Sequence, residues 1–362
     1  MLASAPLGRQ YRGTTFCEAI AIRASDRTTR AVFSTFHGRP WAGAFNVVMA
    51  TTIVSIASRE VGLEVLSIVL LWAAVAAFAS VAALDVWLAR HPLALLRRAG
   101  QPGQGFHALG FVAGGCVLGI RLARAEGAKM LIAAVLLACA FVLWLLILGE
   151  VAVEYGRRGP RRRQALPRGV YTQPRGEWLL AVVATEGLAI LAARIAHLEQ
   201  LPALHAGATA LWIAGGLAYV LIGALLVYRA AQPRFGLTDV SPDWWIVMGA
   251  PAIWCVAAVT ITGAHPGTAG AAAAAVAWGL ASLMLIVIAI ADSLRIRRFG
   301  ARFTPERWTM VFPLGMYSVA SWMLGHSLKA AWLSELGRLW LFVALVAWAA
   351  VALGELRHLL LG

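Results

Sequence analysis

One acidic side chain lies in the middle of a long apolar stretch of the chain. Between residues 178 and 193, Glu186 is the single charged residue. An ionised carboxylate at membrane depth costs about 2.5 kcal/mol or more, so we expect Glu186 to be protonated or paired with a donor. Arg194 lies eight residues further on, about 12 Å along a helix axis, which is too far for a direct pair. Glu186 is therefore either a proton-exchanging group or a structural hydrogen-bonding group between helices.

Hydroxyl groups and prolines are the other polar features of the apolar stretches. Pro251 and Pro313 each remove a backbone N–H, so the carbonyls of Val247 and Thr309 lose their usual helical donors. A helical hydroxyl more often bonds to its own helix than to a ligand, yet it can also contact a polar solute. The hydroxyl candidates for such a contact are Thr51, Thr52, Ser55, Thr185, Ser318 and Ser321.

The sequence contains no motif that indicates catalysis. HExxH, GxSxG and a Walker loop are all absent from it. The four cysteines, which include Cys17 and Cys116, show no CxxC spacing, so a disulfide framework or a metal site is not expected. The eight histidines fall near the ends of apolar stretches or outside them, which argues against a haem protein. We predict no enzyme activity, no cofactor and no metal.

Composition indicates which secondary structure carries these residues. The chain has 362 residues, 60% hydrophobic and 13% charged, with a mean hydropathy of +0.76, whereas soluble domains are about 45–50% apolar and about 25% charged. We therefore predict an all-α integral membrane protein with ten transmembrane helices arranged as five quasi-repeated hairpins. The ten apolar stretches are 41–58, 61–89, 106–122, 129–153, 177–196, 203–227, 244–262, 269–293, 308–328 and 336–356.

The connections between the stretches alternate in length and charge. Short connections with few charges alternate with longer basic ones, and most of the 31 Arg and Lys residues lie on one side. The positive-inside rule then places both termini in the cytoplasm. It also accounts for the net charge of +14 without a nucleic-acid partner. We expect residues 1–40 to form a partly disordered cytoplasmic tail, 41–356 the membrane domain and 357–362 a cytoplasmic C-terminus.

The odd-numbered stretches differ from the even-numbered ones. The odd stretches are richer in Gly, Pro, Ser and Thr, and this bias predicts an inner ring of odd helices around a central pore, with the even helices facing lipid. Helix packing through small residues is the alternative explanation. Each odd stretch has an aromatic residue at its first or second position, namely Trp41, Phe106, Trp178, Trp244 and Trp308. This parallel two-helix repeat also argues against a secondary transporter built from inverted repeats.

Four stretches carry a resemblance to a known family. The most specific is W-x-x-x-F-P-L-G from Trp308, and the others are 47–57, 182–189 and 244–250. Together they resemble the tellurite-resistance/C4-dicarboxylate transporter family, which includes TehA-like bacterial proteins, fungal malic-acid and sulfite transporters and plant slow anion channels. The resemblance covers residues 41–356. It implies ten helices in five hairpins, a central anion pathway lined by the odd helices, and a homotrimer.

The resemblance also implies roles for particular residues. A phenylalanine of the ninth helix blocks the pathway in this family, and Phe312 is the best match. At Glu186 the family is expected to carry an uncharged polar residue, so a carboxylate there is a departure that would repel an anion. The expected pore-lining and kink residues, besides the gate, are Gly249, Pro251, Pro313, Gly315, Thr51, Thr52, Ser55, Thr185, Glu186 and Ser318.

The implied function is the transport of small anions across a cell membrane. C4-dicarboxylate, tellurite, sulfite and monovalent anions all remain candidate substrates. The alternative is a proton-coupled secondary carrier for organic acids or another small solute that uses Glu186. Arg strongly outnumbers Lys in the chain, which is typical of a bacterium with a high-GC genome. We therefore expect a multi-pass protein of the bacterial plasma membrane.

Overall fold

Ten α-helices make up most of the described chain. The computed structural model describes residues 44–89, 105–123, 128–157, 174–300 and 303–361, and no strand occurs within these ranges. The all-α prediction is therefore confirmed, while the expected tail 1–40 lies outside the described residues. The helices are α1 (Ala44–Glu60), α2 (Glu64–Ala89), α3 (Gly105–Leu122), α4 (Ala128–Arg157), α5 (Leu180–Leu198), α6 (Pro202–Ala230), α7 (Ile246–Thr262), α8 (Ala269–Phe299), α9 (Trp308–Ser327) and α10 (Ala331–Leu361).

Consecutive helices form five hairpins, and most of their connections are tight turns. Four of the turns contain a residue with positive φ. Gly62 adopts this conformation at no steric cost, whereas Gln200, Ala264 and Lys329 adopt it with φ values of 54°, 45° and 56°. A side chain in this left-handed region is uncommon. The hairpin geometry is therefore imposed by the packing of the two helices and not by glycine alone.

The odd-numbered helices form a closed inner ring. Helix α1 contacts α3, α3 contacts α5, α5 contacts α7, α7 contacts α9, and α9 returns to α1. Each even helix packs on its own hairpin partner and on the next odd helix around the ring. Each repeat is thus joined to the next by both its inner and its outer helix.

Burial separates the two layers. The most apolar windows of α5 and α7 are 94% and 78% buried, whereas those of α2, α4, α6, α8 and α10 are only 17–28% buried. Apolar helices with so much exposed surface are stable only in lipid or against another protein. The predicted arrangement of odd helices inside and even helices outside is therefore confirmed for the described residues.

Within the described ranges, seven helices are long and apolar enough to cross a membrane. Among the described residues, α1, α3 and α9 fall short of that length or hydropathy. All three belong to the inner ring. The described part of α1 has 17 residues and the apolar part of α3 is Phe106–Leu122, so these two fall short in length. In α9, small and polar residues lower the mean hydropathy. The outer helices differ from the prediction at their ends: α8 continues to Phe299 and α10 runs from Ala331 to Leu361. A helix is not obliged to end where the hydrocarbon ends, so hydropathy underestimates its length.

Three of the inner helices begin with a short 3₁₀ turn. These turns are Gly176–Leu179 before α5, Pro242–Trp245 before α7 and Pro305–Arg307 before α9. The first two contain Trp178 and Trp244, and Trp308 follows the third. Trp178, Trp244 and Trp308 therefore lie at equivalent positions, where these three inner helices begin.

Candidate functional site

The centre of the inner ring is the candidate site. Phe312 lies on α9 and is 3% exposed. Ser321 on the same helix accepts a hydrogen bond of 2.9 Å from Nε1 of Trp278 on the outer helix α8. These two α9 residues are nine positions apart, which is two and a half helical turns, so Phe312 projects from the opposite face to Ser321. Phe312 therefore points away from the outer layer and towards the centre of the ring.

Two glycines bring the neighbouring inner helices close to the segment that carries Phe312. A Cβ atom at Gly249 of α7 would lie 2.9 Å from Cγ of Pro313, and one at Gly315 would lie 2.8 Å from Cγ2 of Ile53 on α1. Both distances are shorter than real side-chain contacts, so only glycine permits the approach at these positions. The gate candidate is thus held on a part of α9 that is packed between α7 and α1.

The prolines expected to kink the inner helices lie in helix interiors. Pro251 is inside α7 and Pro313 is inside α9. The carbonyl oxygen of Val247, which Pro251 deprives of its helical donor, accepts a hydrogen bond of 3.5 Å from the hydroxyl of Tyr219 on α6. An outer helix therefore supplies the donor that the inner helix has lost.

Besides Ser321, three more of the six predicted hydroxyls bond to outer helices instead of facing the ring centre. The partners are indole N–H groups in two cases and a backbone carbonyl in the third. The pairs are Thr51 with Trp348 of α10 at 3.0 Å, Thr185 with Trp144 of α4 at 2.9 Å and Ser318 with Gly337 of α10 at 2.7 Å. The structure therefore does not bring these hydroxyls together with Phe312. They join the inner ring to the outer layer.

The remaining two predicted hydroxyls also bond within the protein. Thr52 donates to the carbonyl of Val48 in its own helix. Ser55 and Ser67 exchange hydrogen bonds of 2.7 Å with each other's backbone carbonyls across the first hairpin. Arg121 of α3 donates to both serine hydroxyls, at 3.3 and 3.0 Å, and is itself buried. This buried guanidinium joins α1, α2 and α3, a role that sequence position alone did not indicate.

Glu186 faces the outer helix α6 and not the ring centre. It is fully buried, and a Cβ atom at Gly215 of α6 would overlap Oε1 of Glu186. Neither carboxyl oxygen has a hydrogen-bond partner in the described part of the chain. The expected alternative of a structural hydrogen bond between helices is therefore not formed among these residues.

Two tryptophans near Glu186 also have buried polar groups without a hydrogen-bond partner among the described residues. The indole N–H groups of Trp212 on α6 and Trp254 on α7 are buried and lack partners among the described residues. Their ring centroids are 6.5 Å apart, and Nε1 of Trp254 would lie 2.9 Å from a Cβ atom at Gly216, next to Gly215. Buried polar groups are nearly always hydrogen-bonded. The junction of α5, α6 and α7 is therefore the place with the most unsatisfied polar groups in the described structure.

A polar collar of five residues, His107, Glu177, Asp243, Asp292 and Arg307, connects the beginnings of the inner helices. Nε2 of His107 at the start of α3 lies 2.9 Å from Oε2 of Glu177 in the turn before α5. The backbone N–H of Glu177 donates to Oδ2 of Asp243, in the turn before α7, at 3.3 Å. These contacts hold the starts of α3, α5 and α7 in one arrangement.

The other half of the collar extends to α9. Nη1 of Arg307, in the turn before α9, donates to Oδ2 of Asp292 on α8 at 2.7 Å. The same carboxylate accepts from Nε1 of Trp245 at 3.2 Å. Thr309 donates to the carbonyl of Pro242 at 2.7 Å. Four of the five inner helices are therefore connected at the end where they begin.

Sequence reasoning missed the collar, although a signal for it exists. Glu177 directly precedes Trp178, and Asp243 directly precedes Trp244, so an acidic residue recurs beside the aromatic residue that marks the repeat. Phe106 stacks on Trp178 with ring centroids 5.1 Å apart, which brings the adjacent His107 to Glu177. The repeated acidic–aromatic pair predicts a common structural role that residue type alone does not.

A family model described as voltage-dependent anion channel matches residues 41–356, a range that includes the central ring and most of the outer helices. The chain is also similar to an uncharacterized membrane protein found in two strains of Mycobacterium tuberculosis. The identity is 29% over 150 residues, which cover 39% of this chain and 76% of the relative. The family resemblance drawn from the four sequence stretches is thereby confirmed.

Proposed function

Because this chain belongs to the voltage-dependent anion channel family, we propose that it passes small anions through the centre of the inner ring, with Phe312 as the gate. The family transports anions, and the chain is a membrane protein. The observation that carries the proposal is the direction of Phe312, which lies opposite the outer-layer bond of Ser321. A bulky apolar side chain at a constriction excludes water and ions until it moves.

Helix direction supports anions as the permeating species. The five inner helices run in the same direction, because an outer helix returns the chain between each pair. Their N-terminal ends therefore lie at the same mouth of the ring, where each helix dipole contributes a partial positive charge. We propose that this mouth attracts anions, and that Gly249, Pro251, Pro313 and Gly315 shape the pathway behind it.

The test is anion flux in proteoliposomes with malate, chloride and sulfite compared. We expect Phe312→Ala to raise flux by about tenfold or more, because the loss of roughly 1.4 kcal/mol from a barrier gives a factor of ten. Phe45→Ala is the matched control, since Phe45 is equally buried but packs on Phe111 of α3 with centroids 4.8 Å apart. If Phe312→Ala is no faster than Phe45→Ala, the gate assignment is wrong.

A proton-coupled carrier for organic acids is the second candidate function. The unpartnered carboxyl of Glu186 supports it, because an ionisable group in a membrane is a functional-site candidate by default. The carrier proposal predicts that Glu186→Gln abolishes the pH dependence of malate uptake. Uptake with an unchanged pH profile in that variant would exclude the proton role and leave the channel proposal standing.

The remaining features are proposed from the sequence and the family resemblance. Both termini lie in the cytoplasm, since the basic connections collect on that side. The protein resides in the plasma membrane of a bacterium and assembles as a homotrimer. Crosslinking of the protein in native membranes tests the trimer, and cysteine accessibility at Arg298 and at Lys329, which lie at opposite ends of the helices, tests the orientation.

A further inference from the structure

A basic pocket opens at the end of the outer helix α6. Its volume is about 570 Å³, and its lining includes Tyr228, Arg229, Arg234, Phe235 and Asp239. Helix α6 ends at Ala230, so the pocket lies where a membrane-spanning segment leaves the hydrocarbon. It is on the outer layer and is separate from the centre of the ring.

One guanidinium in this pocket is fixed by the protein. Nη1 of Arg229 donates to the carbonyl of Pro174 at 2.6 Å, and Nη2 donates to Oδ1 of Asp239 at 3.3 Å. The guanidinium carbon also lies 5.7 Å from the ring centroid of Phe235. The second oxygen of Asp239 accepts the N–H of Gly236 at 3.0 Å, so both carboxylate oxygens are engaged. Arg229 is therefore a rigid wall of the pocket and not a mobile surface charge.

The second guanidinium leaves the pocket with a net positive charge. Arg234 is exposed, and no ion pair or hydrogen bond to it is formed among the described residues. Arg229 and Arg234 together face only one carboxylate, Asp239, in the pocket lining. The charge balance of the lining is therefore positive by one unit, which favours an anionic group.

An exposed apolar stripe on α6 leads directly to the pocket. Leu217, Leu221 and Tyr228 are 62%, 68% and 69% exposed, and their spacing of four and seven residues places them on one face of the helix. The stripe extends about 16 Å along the helix axis. It is long enough for much of one acyl chain in a single leaflet, and its tyrosine lies at the rim of the pocket.

We propose that this pocket binds the phosphate headgroup of an anionic phospholipid, with one acyl chain along the apolar stripe of α6. The positive lining complements the phosphodiester, and the contiguous stripe distinguishes a lipid from a free phosphate ion. Arg234 contacts the headgroup, while Arg229 is held in place by Pro174 and Asp239 and forms the base of the site. Tyr228 lies between the two parts, as is typical of an aromatic residue at a membrane interface.

Native mass spectrometry of the full chain in detergent tests the proposal. The probes are phosphatidylglycerol, phosphatidylcholine and inorganic phosphate. Arg234→Gln changes an exposed side chain outside the helices, so folding is retained. The matched control is Arg298→Gln, because Arg298 is an exposed arginine in the last turn of another outer helix, α8, and does not line the pocket.

We expect phosphatidylglycerol to bind more tightly than phosphatidylcholine. Arg234→Gln should lower the affinity for phosphatidylglycerol by about fivefold, which is the contribution of one basic residue near an anionic headgroup. Arg298→Gln should bind as the original chain does. Leu221→Ser should lower the affinity for both lipids equally, because it changes the apolar stripe and not the charged pocket. Equal binding by Arg234→Gln and Arg298→Gln overturns the site. Displacement of the lipid by an equal concentration of inorganic phosphate overturns the lipid as its occupant.

Discussion

Replacing Glu186 with methionine is expected to stabilise the folded protein. The side chain is fully buried, and neither oxygen is hydrogen-bonded within the described residues. A buried polar group without a partner costs about 1–3 kcal/mol. Methionine has a similar length, fills the same space beside Gly215 and has no oxygen to satisfy. We therefore expect Glu186→Met to raise the free energy of unfolding by about 1–3 kcal/mol.

The assay is denaturant unfolding of the purified protein in detergent micelles. Glu186→Gln is the control, because glutamine keeps the shape of the side chain and its unsatisfied polar atoms. Because its buried polar atoms remain unsatisfied, we expect its free energy of unfolding not to rise as that of Glu186→Met does. The difference between the two variants then isolates the cost of burying polar atoms at this position.

A loss of stability in Glu186→Met would refute this reasoning. Removal of a bonded carboxyl leaves its former partner unsatisfied and destabilises the protein by about 1–3 kcal/mol. The sign of the change is therefore decisive. Destabilisation would mean that Glu186 holds a hydrogen bond in the folded protein, through an internal water for example, and that its buried oxygens are not free.

Three further changes follow from the packing and are measured by the same unfolding assay. Gly249→Ala should destabilise the protein by about 1–3 kcal/mol, because the added methyl group overlaps the proline ring of α9. Gly223→Ala is its control, since a Cβ atom there has no neighbour within 4 Å. Equal effects of the two substitutions would contradict the close approach of α7 and α9. Gln200→Gly should stabilise by up to about 1 kcal/mol, because glycine relieves the positive φ; a loss of stability would show that the turn is unstrained. Asp292→Asn should lower the free energy of unfolding by about 3 kcal/mol, since it removes the charge that faces Arg307. An unchanged free energy would show that the collar does not stabilise the arrangement of the inner helices.

Much of the fold follows from the sequence because two signals repeat. Apolar stretches predict the helices, and the bias towards small and polar residues predicts which helices are inner and which are outer. The helix ends are less predictable: α10 begins at Ala331 and not at residue 336, and α8 continues to Phe299. Hydropathy responds to the thickness of the hydrocarbon, whereas helix length also depends on good helix formers such as leucine and arginine beyond the membrane.

The sequence predicts how deep in the membrane each candidate residue lies, but not which way its side chain points. The sequence places Glu186 and Thr51 near the middle of their helices, yet it does not say which neighbour each side chain faces. Thr51 bonds to Trp348, which is nearly three hundred residues away in the chain. No local pattern encodes such a pairing, because it depends on which helices become adjacent when the ring closes. Phe312 was predictable only through the family resemblance.

The ring closes between the first hairpin and the last, which has a consequence for biosynthesis. Helix α1 enters the membrane early, but its packing surface for α9 and the indole partner of Thr51 on α10 are made last. Until then the exposed flank of α1 displays small and hydroxyl residues to lipid, which is a poor solvent for them. A nascent chain that stalls before Trp308 therefore presents an incomplete inner layer, in which the surface of α1 that packs on α9 is uncovered.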